Sequence, residues 1–180
     1  VKDGPWFGDM DGLWEKYYEN GQLLSRENYK NGKLDGLSEG FYSNGQLNYK
    51  GNYNNGKRDD LWEWFHENGQ LKYRGNYKDG KQEGLSEWFY DNGQLEYRGN
   101  YKEGKRDGLR ESYYKNGQLL SLRTYKEGKI IVSEHYDNND QKITNGVLEI
   151  YHPNGQLRGR IKIKDGRRSS YEEYFKNGKI

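Results

Sequence analysis

Glutamates that recur along the chain are the residues whose type and spacing most readily suggest chemistry. Paired carboxylates can act as general acid and base. The recurring glutamates are Glu15, Glu39, Glu63, Glu87, Glu111, Glu134, Glu149 and Glu172. An active site is normally unique, whereas these residues repeat with the chain, and most have a basic residue at a matched position across a predicted turn. We therefore interpret them as structural ion-pair residues and predict no catalytic residue and no enzyme.

Histidines and an acidic turn are the candidate metal ligands. His66, His135 and His152 fall in different repeats, where the other repeats carry Tyr or Trp, so we interpret them as substituted aromatic residues. Residues 137–140, Asp-Asn-Asn-Asp, could bind calcium through oxygen atoms, but they lack the spacing of a calcium loop and stand where a turn is expected. The sequence thus predicts no metal site and no cofactor.

Composition limits both the core and the partners. Of 180 residues, 31% are apolar and 16% are aromatic, which is too few aliphatic side chains for a thick core but too many rings for a disordered chain. The 30 Lys and Arg nearly balance the 28 Asp and Glu, so no electrostatic feature favours nucleic acid. Cysteine is absent from the sequence.

An internal repeat organises the elements that must position these residues. The motif NGQL stands at 20–23, 44–47, 68–71, 92–95, 116–119 and 154–157, and the first five copies are spaced by 24 residues. A second turn motif, such as NGK at 31–33 and EGK at 103–105, alternates with it. Asn-Gly between aromatic-rich segments is a strong hairpin signal. The sequence predicts an all-β fold, an elongated single-layer antiparallel meander of repeated β-hairpins.

The repeat also sets the expected domain boundaries. Residues 1–11 match the pattern poorly, and 12–180 form an array of about 7.5 copies, with copy six shortened near 137–146. We expect the sheet to kink or thin near Thr144–Gly146. Because the chain starts at Val1 and the pattern is already under way near residue 12, we expect the array to be cut from a longer one.

A two-residue loop at each NGQL motif predicts the strand register. Partner numbers across Asn92-Gly93 then sum to 185, which places Trp88 opposite Tyr97 and Tyr90 opposite Leu95. The same rule predicts ion pairs across the strands: Glu15–Arg26, Glu39–Lys50, Glu63–Arg74, Glu87–Arg98 and Glu149–Arg160.

The second turn motif predicts facing glycines. With Glu103-Gly104 as the loop, Gly99 faces Gly108, and with Asp79-Gly80 as the loop, Gly75 faces Gly84. Paired glycines leave backbone that a ring can cover, and the nearest rings are Tyr53, Tyr77 and Tyr101. Alternation then places one set of side chains on a single face: Trp88, Tyr90, Leu95, Tyr97 and Tyr101.

Aromatic residues concentrated in repeats three and four form the candidate partner-binding site. The matching positions of other repeats hold Ser38, Gly40, Arg110 and Ser112, so these rings exceed what the repeat requires. Exposed Trp and Tyr are typical interface anchors, although the rings could also pack only on each other. The predicted binding residues are Trp62, Trp64, His66, Tyr73, Trp88, Tyr90 and Tyr97.

One copy, Tyr73-x-Gly75-x-Tyr77-x-x-Gly80-Lys81-x-x-Gly84, resembles the MORN repeat. The variant with Y-x-NGQL is similar to bacterial MORN-variant proteins of the YwqK antitoxin type. The pattern departs from the standard repeat at Glu27, Asp60, Ser86 and Arg123. The resemblance implies a scaffold, a membrane-associated module or a dimerisation element, and for the YwqK-like set, neutralisation of a toxin.

Together these observations favour a non-enzymatic protein-binding repeat module. Its sharper form is an immunity protein or antitoxin that occludes a toxin domain with one sheet face. The alternatives are a structural or surface repeat region for adhesion or self-association, and a peripheral membrane-binding scaffold whose lysine-rich turns touch lipid headgroups. Acidic residues interleaved among those lysines disfavour the membrane. The sequence leaves the compartment open: cytoplasmic for an antitoxin, cell surface or secreted for an adhesin.

Overall fold

The computed structural model describes residues 10–137, 139, 141–143, 146–151, 157–164 and 167–173. Residues 1–9, Asn138, Asp140, Thr144 and His152 lie outside the described residues, so the expectations placed on them stay predictions. The described chain is all-β and contains 14 strands. They are β1 (Gly12–Tyr17), β2 (Leu23–Lys30), β3 (Lys33–Phe41), β4 (Leu47–Asn54), β5 (Lys57–Phe65), β6 (Leu71–Lys78), β7 (Lys81–Phe89), β8 (Leu95–Lys102), β9 (Lys105–Tyr113), β10 (Leu119–Lys126), β11 (Lys129–His135), β12 (Gly146–Tyr151), β13 (Leu157–Lys164) and β14 (Arg167–Glu173).

The strands form two antiparallel meanders, in which each strand pairs with its neighbours along the chain. Strands β1–β11 make an 11-stranded sheet and β12–β14 a 3-stranded sheet. The predicted meander is confirmed, and its described strands fall into two sheets on either side of the shortened copy six. The shortened copy six supplies no full partner for β11: only a single bridge, Tyr136 to Lys142, follows that strand among the described residues.

The two turn motifs fold differently. At Asp79-Gly80 both residues have positive φ, 52° and 82°, as in a two-residue type I′ turn. At the NGQL motif only the glycine does: Gly93 has φ 82°, and its N–H donates to the carbonyl of Tyr90 at 2.9 Å. This loop therefore has three residues, Asp91–Gly93, and is closed by the Tyr90 N–H on the Gln94 carbonyl at 2.8 Å.

The predicted register beyond the NGQL loop is nevertheless confirmed. Phe89 lies opposite Leu95, and a one-residue bulge at Glu96 then brings Trp88 opposite Tyr97. A three-residue loop followed by a one-residue bulge gives the same offset as the two-residue loop assumed from sequence. Only the positions nearest the loop differ: Tyr90 is not opposite Leu95, and Leu95 shares the face of Phe89 rather than that of Trp88.

All five predicted acid–base positions lie directly opposite one another: Glu15–Arg26, Glu39–Lys50, Glu63–Arg74, Glu87–Arg98 and Glu149–Arg160. In most of the ion pairs, however, the basic residue binds the acid on the strand that follows it in the sequence rather than the predicted acid on the strand before it. Lys50 Nζ lies 2.9 Å from Glu63, while Arg74 binds Glu87 and Arg98 binds Glu111. Each base in this charged ladder has an acid on both sides, so register alone does not choose the partner and the side-chain rotamer decides.

The prediction that glycines face each other across the second turn motif was wrong. Gly75 lies opposite Ser86 and Gly99 opposite Arg110, because β3, β5, β7 and β9 each contain a two-residue shift shortly after the turn that precedes the strand. Gly84 stands at this shift in the left-handed region, with φ 74°, and lies opposite Tyr101. A shift of two residues preserves the face of every later side chain.

Candidate binding site

A continuous row of packed aromatic rings crosses the centre of the large sheet, and we call it the aromatic row. It consists of Trp62 and Trp64 on β5, Tyr73 on β6, Trp88 on β7 and Tyr97 on β8. Successive ring centroids along it are 5.2, 5.1, 4.5 and 4.3 Å apart. These separations lie in the range in which aromatic pairs attract beyond simple burial.

The strand register puts these rings together. Trp64 lies opposite Tyr73, Tyr73 opposite Trp88, and Trp88 opposite Tyr97, all on one face. Small side chains elsewhere on this face, such as Ser38 and Ser86, are 1% and 0% exposed because neighbouring rings lie over them. The sheet therefore builds a thin core on this face without a second layer.

Two of the predicted binding residues are core residues. Trp62 is 1% exposed and Tyr73 is 6% exposed, so neither offers a surface to a partner. The Trp62 indole lies over Gly51, where an added β-carbon would come within 2.2 Å of the ring, and its Nε1 donates to the Asn52 carbonyl at 2.9 Å. Trp64, Trp88 and Tyr97 are only partly buried and form the accessible part of the row.

His66 and Tyr90 do not join the aromatic row. They stand where β5 and β7 end, and each binds a backbone carbonyl of the next repeat: His66 Nε2 donates to Phe89 O at 2.9 Å, and the Tyr90 hydroxyl donates to Tyr113 O at 2.9 Å. Tyr42 makes the equivalent bond to Phe65 O at 2.7 Å. These residues tie successive repeats together, which explains why a ring with a polar tip recurs there.

Arginines at both ends of the aromatic row were missed as site residues. The Arg58 guanidinium carbon lies 4.6 Å from the Trp62 ring and 4.9 Å from the Trp64 ring. At the other end, Arg110 lies 4.2 Å from the Tyr97 ring. Such cation–π contacts stabilise a pair by about 0.5–2 kcal/mol. The sequence signal was available for Arg110, which replaces the Ser or Trp of other repeats.

Burial shifts the pKa of tyrosine hydroxyls in and beside the aromatic row. It raises the pKa of Tyr97 to about 12, so that hydroxyl is neutral at physiological pH and available as a hydrogen-bond donor or acceptor. Burial also raises the pKa of Tyr77, beside Trp62, and the hydrogen bond from Tyr73 raises it further. The aromatic row is thus an uncharged surface with a cation at each end.

The MORN repeat variant model matches residues 10–31, 34–55, 61–79, 82–103, 106–127 and 144–165, which together make up most of the chain. The chain belongs to the MORN repeat variant family. Each matched segment in the large sheet holds one hairpin closed by an NGQL loop, such as β7–β8 in 82–103. The stretch between the last two matches contains β11 and the shortened copy six.

No curated protein matches the chain. A similar solved structure is the crystal structure of accessory secretory protein 1,2 and 3 in Streptococcus pneumoniae, with 19% identity and a TM-score of 0.28. The match covers 69% of this chain and 20% of that one, so the present chain spans about a fifth of that chain's length.

MORN repeats and all-β repeat folds are typical of non-catalytic modules. Within the described residues, no three His, Asp or Glu side chains lie close enough together to hold a metal ion. The same part of the chain contains no helix that is long and apolar enough to cross a membrane.

The opposite face carries the charged ladder and a regular line of leucines. Glu87 in the ladder is 8% exposed, beneath Arg74. The leucines are between 42% and 57% exposed and recur once per repeat: Leu13, Leu37, Leu61, Leu85 and Leu109. Each faces an Asn or a Thr on the next strand, as Leu85 faces Asn100. Apolar and polar side chains alternate along this line, so it forms no continuous apolar strip.

Proposed function

We propose that the chain is a non-enzymatic protein-binding repeat module that contacts its partner through the accessible part of the aromatic row. The observation that carries this proposal is the partial exposure of Trp64, Trp88 and Tyr97 in one row of packed rings. Trp64 and Trp88 stand at the position where repeats one, two and five carry Lys16, Gly40 and Ser112. The position of Tyr97 holds Ser25 and Ser121 in repeats one and five. Large rings held rigid by their neighbours lose little conformational entropy on binding. Buried Trp62 and Tyr73 support them from below.

The sharper form of this proposal is an immunity protein that occludes a toxin domain. A sheet of 11 strands spaced by about 4.8 Å spans about 50 Å, which is long enough to cover the face of a small domain. The resemblance to antitoxins of the YwqK type supports this form. A toxin encoded beside the gene would be the natural candidate, and rescue of growth on co-expression would test it.

Substitution of the accessible tryptophans tests the binding proposal. The partner is isolated by affinity capture from the native host and then titrated with purified variants. Trp64→Ala and Trp88→Ala should each weaken binding about 30-fold or more, the loss expected at an interface anchor. Trp14→Ala is the matched control, because Trp14 packs on Tyr29 in repeat one, outside the aromatic row.

Folding must be measured beside binding, since both tryptophans also stabilise the sheet. Circular dichroism and thermal unfolding identify variants that remain folded at the titration temperature. If folded Trp64→Ala and Trp88→Ala bind as tightly as the native chain, or lose no more affinity than Trp14→Ala, the aromatic row is only structural.

Self-association is the second candidate function, and the exposed leucines favour it. A second copy could cover the line that contains Leu61 and Leu85. Sedimentation velocity over a range of concentrations distinguishes the two functions. A dimer that dissociates in the double variant Leu61→Glu, Leu85→Glu would support self-association through this face.

A further inference from the structure

Two arginines in repeat five, Arg110 and Arg123, replace the residue types found at the same positions of the preceding repeats, on the face that carries the aromatic row. Arg110 occupies the position of Ser38, Trp62 and Ser86 in earlier repeats. Arg123 occupies the position of Gly51, Gly75 and Gly99. The two residues lie directly opposite each other on β9 and β10, so two like charges share one cross-strand position. Such a pair is destabilising by itself.

A third arginine completes the cluster, which we call the arginine cluster: Arg106, Arg110 and Arg123. Arg106 donates from Nε to the Tyr101 hydroxyl at 3.2 Å, and its guanidinium carbon lies 5.4 Å from the Tyr125 ring. Among the described residues, no carboxylate lies within ion-pair distance of any of the three. The arginines of the charged ladder on the opposite face, by contrast, each bind a glutamate.

Arg110 is held in an unfavourable setting. Its Nε is buried and has no hydrogen-bond partner in the described structure, although its guanidinium stacks on Tyr97. Burial lowers the pKa of Arg110, and the charges of Arg106 and Arg123 lower it further. A buried donor without an acceptor destabilises the folded chain, so an anion at this position would relieve both the unmet bond and the repulsion.

A narrow hollow borders Arg110, but it is too narrow to hold a water molecule, so an anion would lie over the arginine cluster rather than inside the hollow. The lining of the hollow includes Trp88, Tyr97 and Tyr125 together with Arg106 and Arg110. Trp88 and Tyr97 belong to the aromatic row, so the hollow continues the proposed binding surface. Because Nε is covered in the unliganded chain, an incoming anion reaches it after a rotation of the Arg110 side chain.

We infer that the arginine cluster is an anion subsite that takes a carboxylate from an acidic peptide segment of the partner. This inference rests on the proposed function, since the partner that covers the aromatic row would supply the acid. The flat fork of a guanidinium matches a carboxylate with two parallel hydrogen bonds. A partner segment would therefore place an apolar residue on Trp88 and an acidic residue over Arg110.

A membrane is a poorer occupant of this site. The nearest edge of the sheet mixes charges, with Lys102, Lys105 and Lys126 beside Glu103, Asp107 and Glu127. Asp107 accepts the Glu127 N–H at 3.2 Å and lies 3.8 Å from Lys126, so the acids at this edge stay close to the lysines. An anionic bilayer would meet this mixed edge, whereas a peptide can lie along the face.

Side-chain NMR of the chain alone tests the inference. The arginine Nε–H signals are followed while the ¹⁵N-labelled chain is titrated with an acetylated, amidated tetraglutamate peptide. The tetraglutamine peptide at equal ionic strength is the control. We expect a saturable shift of the Arg110 signal with the glutamate peptide only, and binding at least 10-fold weaker in the double variant Arg110→Ser, Arg123→Gly. That variant carries the residues found at Ser86 and Gly99, so the repeat already accommodates them.

Several results would overturn the inference. An Arg110 signal that stays in place at the highest peptide concentration would do so, as would equal binding by the folded double variant. A response to inorganic phosphate or to vesicles containing phosphatidylserine, but not to the peptide, would assign a different anion. If the double variant does not fold, Arg110→Lys replaces it, since it keeps the charge and loses the fork. None of these measurements involves the captured partner, so failure here leaves the tryptophan titration to judge the proposed function.

Discussion

The Trp62 ring occupies the space that a side chain at Gly51 would need. An ideal β-carbon at Gly51 would lie 2.2 Å from the indole, and one at Gly75 would lie 2.2 Å from the Tyr73 hydroxyl. At Gly99 the nearest atom is the Arg110 β-carbon, at an ordinary 3.4 Å. Glycines at the same repeat position therefore differ in role: at Gly51 and Gly75 the absence of a side chain makes room for a ring, whereas at Gly99 it does not.

Alanine substitutions at Gly51 and Gly99 should distinguish a glycine that lies beneath a ring from one that does not. Gly51→Ala should destabilise the sheet by about 2 kcal/mol or more, because the ring must move and Trp62 is almost fully buried. Gly99→Ala should change stability by less than about 1 kcal/mol, since no strained backbone or close contact opposes it. Urea unfolding measures both. Equal losses at the two positions would show that the ring above Gly51 does not set the cost.

Asp60 stands where the other repeats of the large sheet carry Gly12, Gly36, Gly84 and Gly108. All five residues are in the left-handed region, with φ 56° at Asp60 and 74° at Gly84. A side chain there raises the energy of the backbone by about 1–2 kcal/mol, although Asp tolerates it better than most residues.

Asp60→Gly should therefore stabilise the chain by about 1 kcal/mol. The side chain is exposed, so its removal costs little packing. Gly84→Asp, the reverse change one repeat later, should destabilise by a similar amount, because nothing lies within 4 Å of an added β-carbon and only the backbone opposes it. The urea midpoint measures both shifts. A loss of stability in Asp60→Gly would contradict the proposed strain.

At the scale of the element, an NGQL loop can be hydrogen-bonded to the loop of the next repeat. Asn92 Oδ1 accepts the Gln94 N–H at 3.1 Å, while its Nδ2 donates to the Lys115 carbonyl in the following loop at 3.1 Å. This second bond requires a neighbouring hairpin. Isolated Asn-Gly favours the two-residue turn, whereas the loop here has three residues and is held both within its own hairpin and to the next one.

The charged ladder makes an element-scale prediction about acid. The hydrogen bond from Arg98 lowers the pKa of Glu111 below its ordinary value of 4.5. A lowered folded-state pKa gives stability that is complete above 4.5 and is lost as the pH falls through the folded-state value. Glu111→Gln should therefore be less stable than the native chain at pH 7, and the difference should shrink toward pH 3. A difference independent of pH would contradict this.

Sequence reasoning predicted the meander, the register across the NGQL loops and the residues of the aromatic row. It misjudged the register across the second turn motif. It also misjudged Tyr90 and Leu95, because it assumed a two-residue loop where the structure has three residues. Sequence reasoning also did not predict the burial of Trp62. Trp62 is placed opposite Gly51 by a two-residue shift in β5, and the spacing of the turns does not reveal that shift. Arg110 and Arg123 were visible as departures from the repeat, and the register rule at Asn116-Gly117 already places them opposite each other, as the structure does. The sequence did not reveal that the Arg110 Nε is buried without a hydrogen-bond partner.

At the scale of the molecule, the large sheet is stabilised from neighbour to neighbour. Each strand pairs only with those beside it, and no second layer covers either face in the described chain. Stability in such arrays is close to a sum of repeat and interface contributions. Local opening should therefore be easiest where a strand lacks a complete partner.

Amide exchange should reveal that weak point. We expect residues 137–143 to exchange faster than residues 85–101. The first segment is attached to β11 by one bridge and by the Ile143 N–H on the His135 carbonyl at 2.8 Å, whereas β7 and β8 have partners on both sides. Hydrogen exchange with mass spectrometry measures both segments in one experiment. Equal protection would mean that the interruption of copy six does not weaken the sheet.

The acid–base order of the charged ladder also decides which misfolded states compete with the native one. Acid and base alternate from strand to strand between Glu15 and Glu111, so a chain displaced by one strand would meet like charge with like charge. Displacement by a whole repeat of 24 residues restores every pairing. During refolding at high concentration, we therefore expect a hairpin from a second molecule to be able to take the place of the chain's own hairpin, which would give exchanged oligomers.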